Sequence, residues 1–282
     1  MKTVETPMSP LVRAIFGFVA FNALIGAGSL ILFPAHTDEL FFWRITPPLA
    51  ATMFGGLYLG GAIAVTHAVL RRHWETARYL IPVLVCAGIL LTITTFVHLD
   101  RFTPGIRLGY WLFVYVGAPL LALGIAWQHE RRIGASWAVL GQPTTPLTRA
   151  LAVITATLLT LFGIVSLIQP VLIIGVWPWP IAPLMVRVFA AWFMAFAPGL
   201  FLFIWERDWN RLYPIASLMM GAAGIDLLAT LIYRDNLTGS PLQVGLFCAH
   251  LAGFGLIGAA MHWSQRRATV RRPALSAITQ PT

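Results

Sequence analysis

Charge is what this sequence has least of. Of its 282 residues only 10% are Asp, Glu, Lys or Arg, against about 25% in a soluble domain. That scarcity excludes a soluble globular protein of this size, which needs far more polar surface. Lysine is almost missing, since Lys2 is the one lysine among 19 basic residues; such a bias fits a GC-rich bacterial genome. Cysteine is limited to Cys86 and Cys248, which gives no disulfide framework. Both fall in apolar stretches and read as small buried side chains. The sequence carries no P-loop, dinucleotide fingerprint, nucleophile elbow, HExxH or paired CxxC. No catalytic constellation and no cofactor is therefore legible, and the loops are too short to hold a catalytic domain.

What is abundant is apolar length. Hydrophobic residues make up 58% of the chain, gathered into eight segments at roughly 13–33, 47–70, 79–98, 109–127, 149–169, 181–204, 213–232 and 243–262. Each is long enough to cross hydrocarbon. The expected fold is an all-α polytopic membrane protein with the lipid bilayer as its first partner. The first segment is too long, and lacks the small-residue cleavage site, for a secretory signal. We keep it as a helix of the mature protein.

The few basic residues are distributed unevenly. Lys2, Arg13, Arg71, Arg72, Arg78, Arg131, Arg132, Arg149, Arg207, Arg211, Arg266, Arg267, Arg271 and Arg272 fall on one side. Arg44, Arg101, Arg107 and Arg234 fall on the other, and Arg187 lies within a span. By the positive-inside rule both termini are cytoplasmic, and the expected location is a bacterial cytoplasmic membrane. The net charge of +9 thus reads as a topogenic signal, not as nucleic-acid binding. Such a face also attracts anionic lipid headgroups, and 265–282 reads as a frayed basic tail. Trp43, Trp111, Trp177 and Trp179 near outer ends, with Trp74, Trp127, Trp205, Trp209 and Trp263 near inner ones, suggest aromatic belts at both interfaces.

Laid against itself, the chain repeats. LVRA at 11–14 matches LTRA at 147–150, and Pro34 matches Pro170 at the same offset. After a one-residue deletion Pro48 meets Pro183, Arg72 meets Arg207, Trp74 meets Trp209 and Asp100 meets Asp235. Arg131 and Arg132 meet Arg266 and Arg267. Prolines and arginines at helix ends recur in any such protein, but not at a constant spacing across four helices. We expect two parallel four-helix repeats, 1–140 and 141–264, followed by the tail. Four is even, so both units insert the same way up, as in the parallel repeats of several transporters. Small residues mark close helix contacts in FGGLYLGGAIA (54–64), GAAG (221–224) and AGFGLIGAA (252–260). Pro198 falls inside the sixth segment and is expected to kink it; its counterpart, Ile63, is not a proline.

Two groups of residues are candidates for chemistry. Asp226 lies in GIDLLATLIYRD, about six residues from an outer end and hence roughly 9 Å deep. Arg187 lies at a similar depth in the preceding span, and a buried charge seeks a partner. We expect Arg187 to pair with Asp226, with His250 completing a polar cluster. Their counterparts Thr52 and Leu91 are both uncharged, as for a mutually dependent pair. The cluster reads as a structural clamp or as a ligand or proton site; in a third reading Arg187 snorkels outward and Asp226 is protonated. The second group, His36, Asp38, Glu39, His98 and Asp100, offers mixed nitrogen and oxygen ligands for a divalent cation, although solvated loops explain it as well. The functional expectation is a transporter of small molecules or ions with a polar site between the repeats. The competing one is a sensor, lipid-binding or assembly protein whose buried charges are structural.

Overall fold

The computed structural model describes residues 6–133 and 141–278, with side chains described as far as Thr269. Among them eight helices are long and apolar enough to cross a membrane. We label them α1 (Pro10–Leu32), α2 (Pro48–Arg71), α3 (Trp74–Val97), α4 (Ile106–Arg132), α5 (Pro146–Ile168), α6 (Pro183–Ile204), α7 (Trp209–Ile232) and α8 (Pro241–Thr269). The described residues contain no named strand, only two isolated bridges. The protein is an all-helical, multi-pass membrane protein.

Local chemistry sets the helix ends. Proline occupies the first turn of α1, α2, α5 and α6, where its missing N–H costs nothing and its fixed φ suits the helix. Ser9 caps α1 by accepting from Val12 N at 3.3 Å, and Thr145 caps α5 by accepting from Thr148 N at 3.1 Å. Asp208 caps α7 through Asn210 N at 3.0 Å. Arg72 ends α2 in the left-handed region, at φ 59. The main departure from the sequence expectation lies at the basic end. There α3 begins at Trp74, α7 at Trp209, and α4 runs on to Arg132. These polar turns are helical because their charges are paired inside the protein. The backbone of α8 likewise continues as helix to Ile278, where a frayed tail was expected, and Arg267 lies 3.9 Å over the Trp263 ring. Pro198 lies inside α6, three residues before its helix gives way to the 3-10 turn Leu202–Ile204.

Four helices form the centre. Neighbours in sequence pack as α1–α2, α3–α4, α5–α6 and α7–α8; the two halves join through α2 against α7 and α3 against α6. At the periphery α1 touches α4 and α5 touches α8. Glycine makes the α2–α7 seam close, because a Cβ at Gly56 would lie 2.7 Å from Asp226 Oδ1, and one at Gly60 would lie 2.5 Å from Leu218 Cδ1. The expectation for GAAG is met through its alanines: Ala222 and Ala223 are buried, and a Cβ at Gly255 of α8 would lie 3.0 Å from Ala223 Cβ, whereas Gly221 and Gly224 face open space; Gly258 of α8 approaches the Ala216 carbonyl of α7.

A second departure concerns the aromatic belts. At the end opposite the basic one, Trp43, Trp111 and Trp179 are buried. Trp43 and Trp111 meet edge to face at 5.1 Å beside Phe41 and Phe102, so these indoles fill a core beneath the loop between α1 and α2. At the basic end Trp127, Trp205 and Trp263 are exposed, as a belt requires, while Trp74 and Trp209 are buried.

Before α1, Met8 N donates to Arg72 O at 2.8 Å and Trp74 N to Thr6 O at 2.9 Å. Before α5, Thr144 N donates to Arg207 O at 2.8 Å and Trp209 N to Gln142 O at 2.7 Å. Each short strap ties the helix it precedes to the turn between the next two.

Candidate functional site

The seam between α2 and α7 holds the buried carboxylate. Asp226 is 5% exposed, and its Oδ1 has no hydrogen-bond partner. It faces the Gly56 backbone, where the absent side chain leaves room for it. The Thr230 hydroxyl donates to the main chain of this residue, at Asp226 O, over 2.7 Å.

Arg187 does not meet Asp226. Its Nε donates to Leu167 O at 2.9 Å and its Nη1 lies 2.8 Å from His98 Nε2. The guanidinium has only donors, so His98 accepts through Nε2 and carries its proton on Nδ1. Burial, and next the charge of Arg187, push the His98 pKa below its ordinary value. Arg187 thus joins α5 and α6 to the C-terminal end of α3. The expected pair fails because α7 packs on α2 rather than closely against α6, so two helices joined by one short turn are not close partners. His250 is exposed on α8, with its ring 6.2 Å from that of Phe193, and does not join Asp226 through any hydrogen bond or ion pair among the described residues.

The second candidate group, His36, Asp38, Glu39, His98 and Asp100, is likewise not assembled. Among the described residues no three His, Cys, Asp or Glu side chains come together as a metal site. His98 is turned to Arg187, Asp100 faces its neighbour Arg101 at 3.0 Å, and the Asp38 carbonyl accepts from Arg107 Nη1 at 2.7 Å. No ion pair or side-chain hydrogen bond joins His36 or Glu39 to the other three.

A cluster at the basic end was not among the residues expected from sequence. Glu206 is 1% exposed and accepts from Asp208 N at 2.8 Å, from Arg211 Nη1 at 3.1 Å and from the Tyr79 hydroxyl. Arg78 lies 3.7 Å from both Glu206 and Glu130, and Trp74 Nε1 donates to Glu130 at 2.8 Å. Arg211 also lies 3.9 Å from Asp208, whose Oδ2 accepts from Gly141 N at 2.9 Å. Arg78 and Arg211, counted from sequence as topogenic, are in fact 9% and 5% exposed. One available signal was the density of acids in WERDWNR, rare in so uncharged a chain.

The last feature is an apolar cavity of about 260 Å³. It is walled mainly by α1 to α4, closed from behind by Trp192, Ala195 and Phe196 of α6 and by Ile215 and Leu218 of α7. No Asp, Glu, Lys, Arg or His lines it. Its polar groups are hydroxyls, one amide and the Trp192 indole N–H: Tyr58 and Tyr115 are hydrogen-bonded to each other, and Tyr110 donates to Asn22. Tyr115 is carried by a single π-helical turn of α4, Phe113–Gly117, a distortion common at functional sites.

Eight apolar helices around these features define a class, the multi-pass helical membrane proteins. Beyond that class the chain matches no family model, no curated protein and no solved structure.

Proposed function

We propose that this is a duplicated membrane protein, with both termini on the cytoplasmic side of a bacterial cytoplasmic membrane, that moves a small solute or ion through a site between its repeats at Asp226. The duplication is supported by correspondences that recur at the spacing already legible in sequence. The straps Thr6–Met8 and Gln142–Thr144, the caps Ser9 and Thr145, and the 3-10 turns Leu99–Arg101 and Arg234–Asn236 occupy equivalent positions. The packing pairs also exchange under a two-fold operation: α1–α2 with α5–α6, α3–α4 with α7–α8, and α2–α7 with α6–α3. The cytoplasmic assignment rests on the arginines at the strap end, which also suit anionic headgroups.

One observation carries the transport reading: the unpartnered Asp226 carboxylate in the seam joining the halves. An ionisable group in a span is costly and usually serves a pathway or a partner, and repeat interfaces are where such proteins bind substrate. A proton or a cationic solute is what this carboxylate would accept. The Arg187–His98 contact braces the other seam between the halves, that of α3 and α6, and His250 stands exposed on α8.

Proteoliposomes enclosing a pH-sensitive dye test the proposal. Wild type is expected to pass protons or monovalent cations above the rate of empty vesicles, and Asp226→Asn to abolish that flux. Flux indistinguishable from empty vesicles, or unchanged in the variant, rejects it. The alternative, a lipid-binding protein that transports nothing, is favoured by the apolar cavity.

A further inference from the structure

We propose that the cavity of the first half is a binding site for an uncharged lipophilic molecule bearing a hydrogen-bond-accepting oxygen, a carbonyl or an ether. The site is distinct from Asp226 and takes a different class of ligand. Its comparison between halves rests on the duplication proposed above, whereas its volume and donors do not.

Size and composition give the first argument. An engineered apolar cavity of about 150 Å³ stays dry and binds benzene; this one measures about 260 Å³. With no charged side chain in its wall, a charged ligand would lose its hydration without compensation. The entrance faces lipid. On α1 and α4, the lining residues Phe18, Ile25 and Tyr110 are 37%, 55% and 43% exposed, so the mouth opens sideways into the bilayer.

Unused donors give the second. Between Tyr58 and Tyr115 only one hydroxyl hydrogen can lie in their shared bond, so one O–H remains to donate. Trp192, whose ring lies 5.1 Å from that of Tyr58, carries a buried Nε1–H with no partner. Buried donors without acceptors are uncommon and call for an explanation. Two of them around one cavity select an acceptor, such as an ester carbonyl of a lipid or the carbonyl of a quinone-like ring.

The other half gives the third. At the equivalent positions Gly26 becomes Phe162, Gly61 becomes Phe196 and Pro119 becomes Phe254. The hydroxyl pair Tyr58 and Tyr115 becomes Phe193 and His250. Phe162 meets Phe193 at 5.9 Å and Phe196 meets Phe254 at 6.4 Å, so rings fill the space that the first half leaves open. A fold that packs this volume in one copy has no structural need to leave it empty in the other.

The test uses full-length protein in nanodiscs, titrated with a decyl-substituted benzoquinone and, separately, with decylbenzene. Tryptophan quenching reads the quinone; competition with the bound quinone reads decylbenzene. In parallel, lipids that survive purification are extracted and identified by mass spectrometry. Wild type is expected to bind the quinone more tightly than the hydrocarbon, or to retain an ester lipid that the quinone displaces; the two arms tell the sources apart. Gly61→Phe, which copies Phe196, is expected to abolish binding of either. The double variant Tyr58→Phe/Tyr115→Phe keeps the volume and removes the free hydroxyl, which either single change would leave on the other ring. It is expected to weaken the acceptor ligand by about two- to tenfold, the effect of one hydrogen bond, leaving decylbenzene unchanged. Because this variant removes no packing, it keeps the test decisive if Gly61→Phe does not fold. Saturable binding of neither probe and no retained lipid overturns the proposal, as does equal binding to wild type and all variants. Proton flux is not read here, so failure at Asp226 and failure at this cavity are separate results.

Discussion

Replacing Glu206 by Gln tests whether the basic-end cluster holds the halves together. The carboxylate is 1% exposed and lies within 3.7 Å of Arg78 and 3.1 Å of Arg211. Removing one partner of a buried pair costs about 3–5 kcal/mol, chiefly because the surviving charge loses its compensation. Here the loss is moderated, since Arg78 keeps Glu130 at 3.7 Å and Arg211 keeps Asp208 at 3.9 Å. The lower end, about 3 kcal/mol, is therefore expected. By the conversion for domains of 150–250 residues this is a fall in Tm of roughly 6–12 °C. Thermal unfolding in nanodiscs measures it, with Glu206→Gln/Arg211→Met as the second arm. The double variant is expected to recover part of the loss, because one uncompensated charge is removed with its partner. A Tm within about 2 °C of wild type for Glu206→Gln would refute the reasoning.

Two further perturbations follow from the geometry. Gly56→Ala puts a methyl group 2.7 Å from Asp226 Oδ1 and 2.9 Å from Ile225 Cγ2, so a loss of about 1–3 kcal/mol is expected from overpacking the seam; unfolding in detergent checks it, and an unchanged midpoint contradicts the close approach. His98 gives a pH dependence. Its folded pKa is depressed, by burial first and Arg187 second, so the folded state favours the neutral ring. Its contribution to stability is complete above the unfolded pKa of about 6.5 and is lost as pH falls from there through the lower folded value. The Tm of wild type, measured between about pH 5 and 8, should therefore fall on acidification more steeply than that of His98→Gln, which keeps an acceptor for Arg187. Parallel curves would remove His98 from the account.

The spans were legible because hydrophobic length is a local property, and the eight segments emerge within a few residues of their expected places. The polar turns at Trp74, Trp209 and Arg132 were not, because what keeps them helical is a charge on another helix, as with Arg78 and Glu206. The Arg187–Asp226 expectation failed for a related reason. Adjacency in sequence suggested that α6 and α7 were close partners, whereas the packing is α2 with α7 and α3 with α6, and sequence alone does not say which half-to-half contacts form. The tryptophans expected at an outer interface misled because position along the chain marks depth but not direction. Trp43 and Trp111 sit at the right depth for a belt and point inward. The cavity left only an indirect trace, small residues such as Gly26 and Gly61 standing opposite phenylalanines in the other half.

The central claim is that Asp226 is retained for something other than holding the fold, and the stability of Asp226→Asn tests it most directly. A buried carboxylate with no partner weakens the fold, so its neutral isostere should unfold at the same temperature as wild type or higher, while Arg187→Ala and Asp226→Asn show additive effects. A fall in Tm comparable to that of Glu206→Gln, or coupling between the two substitutions, would show instead that Asp226 is part of a structural clamp.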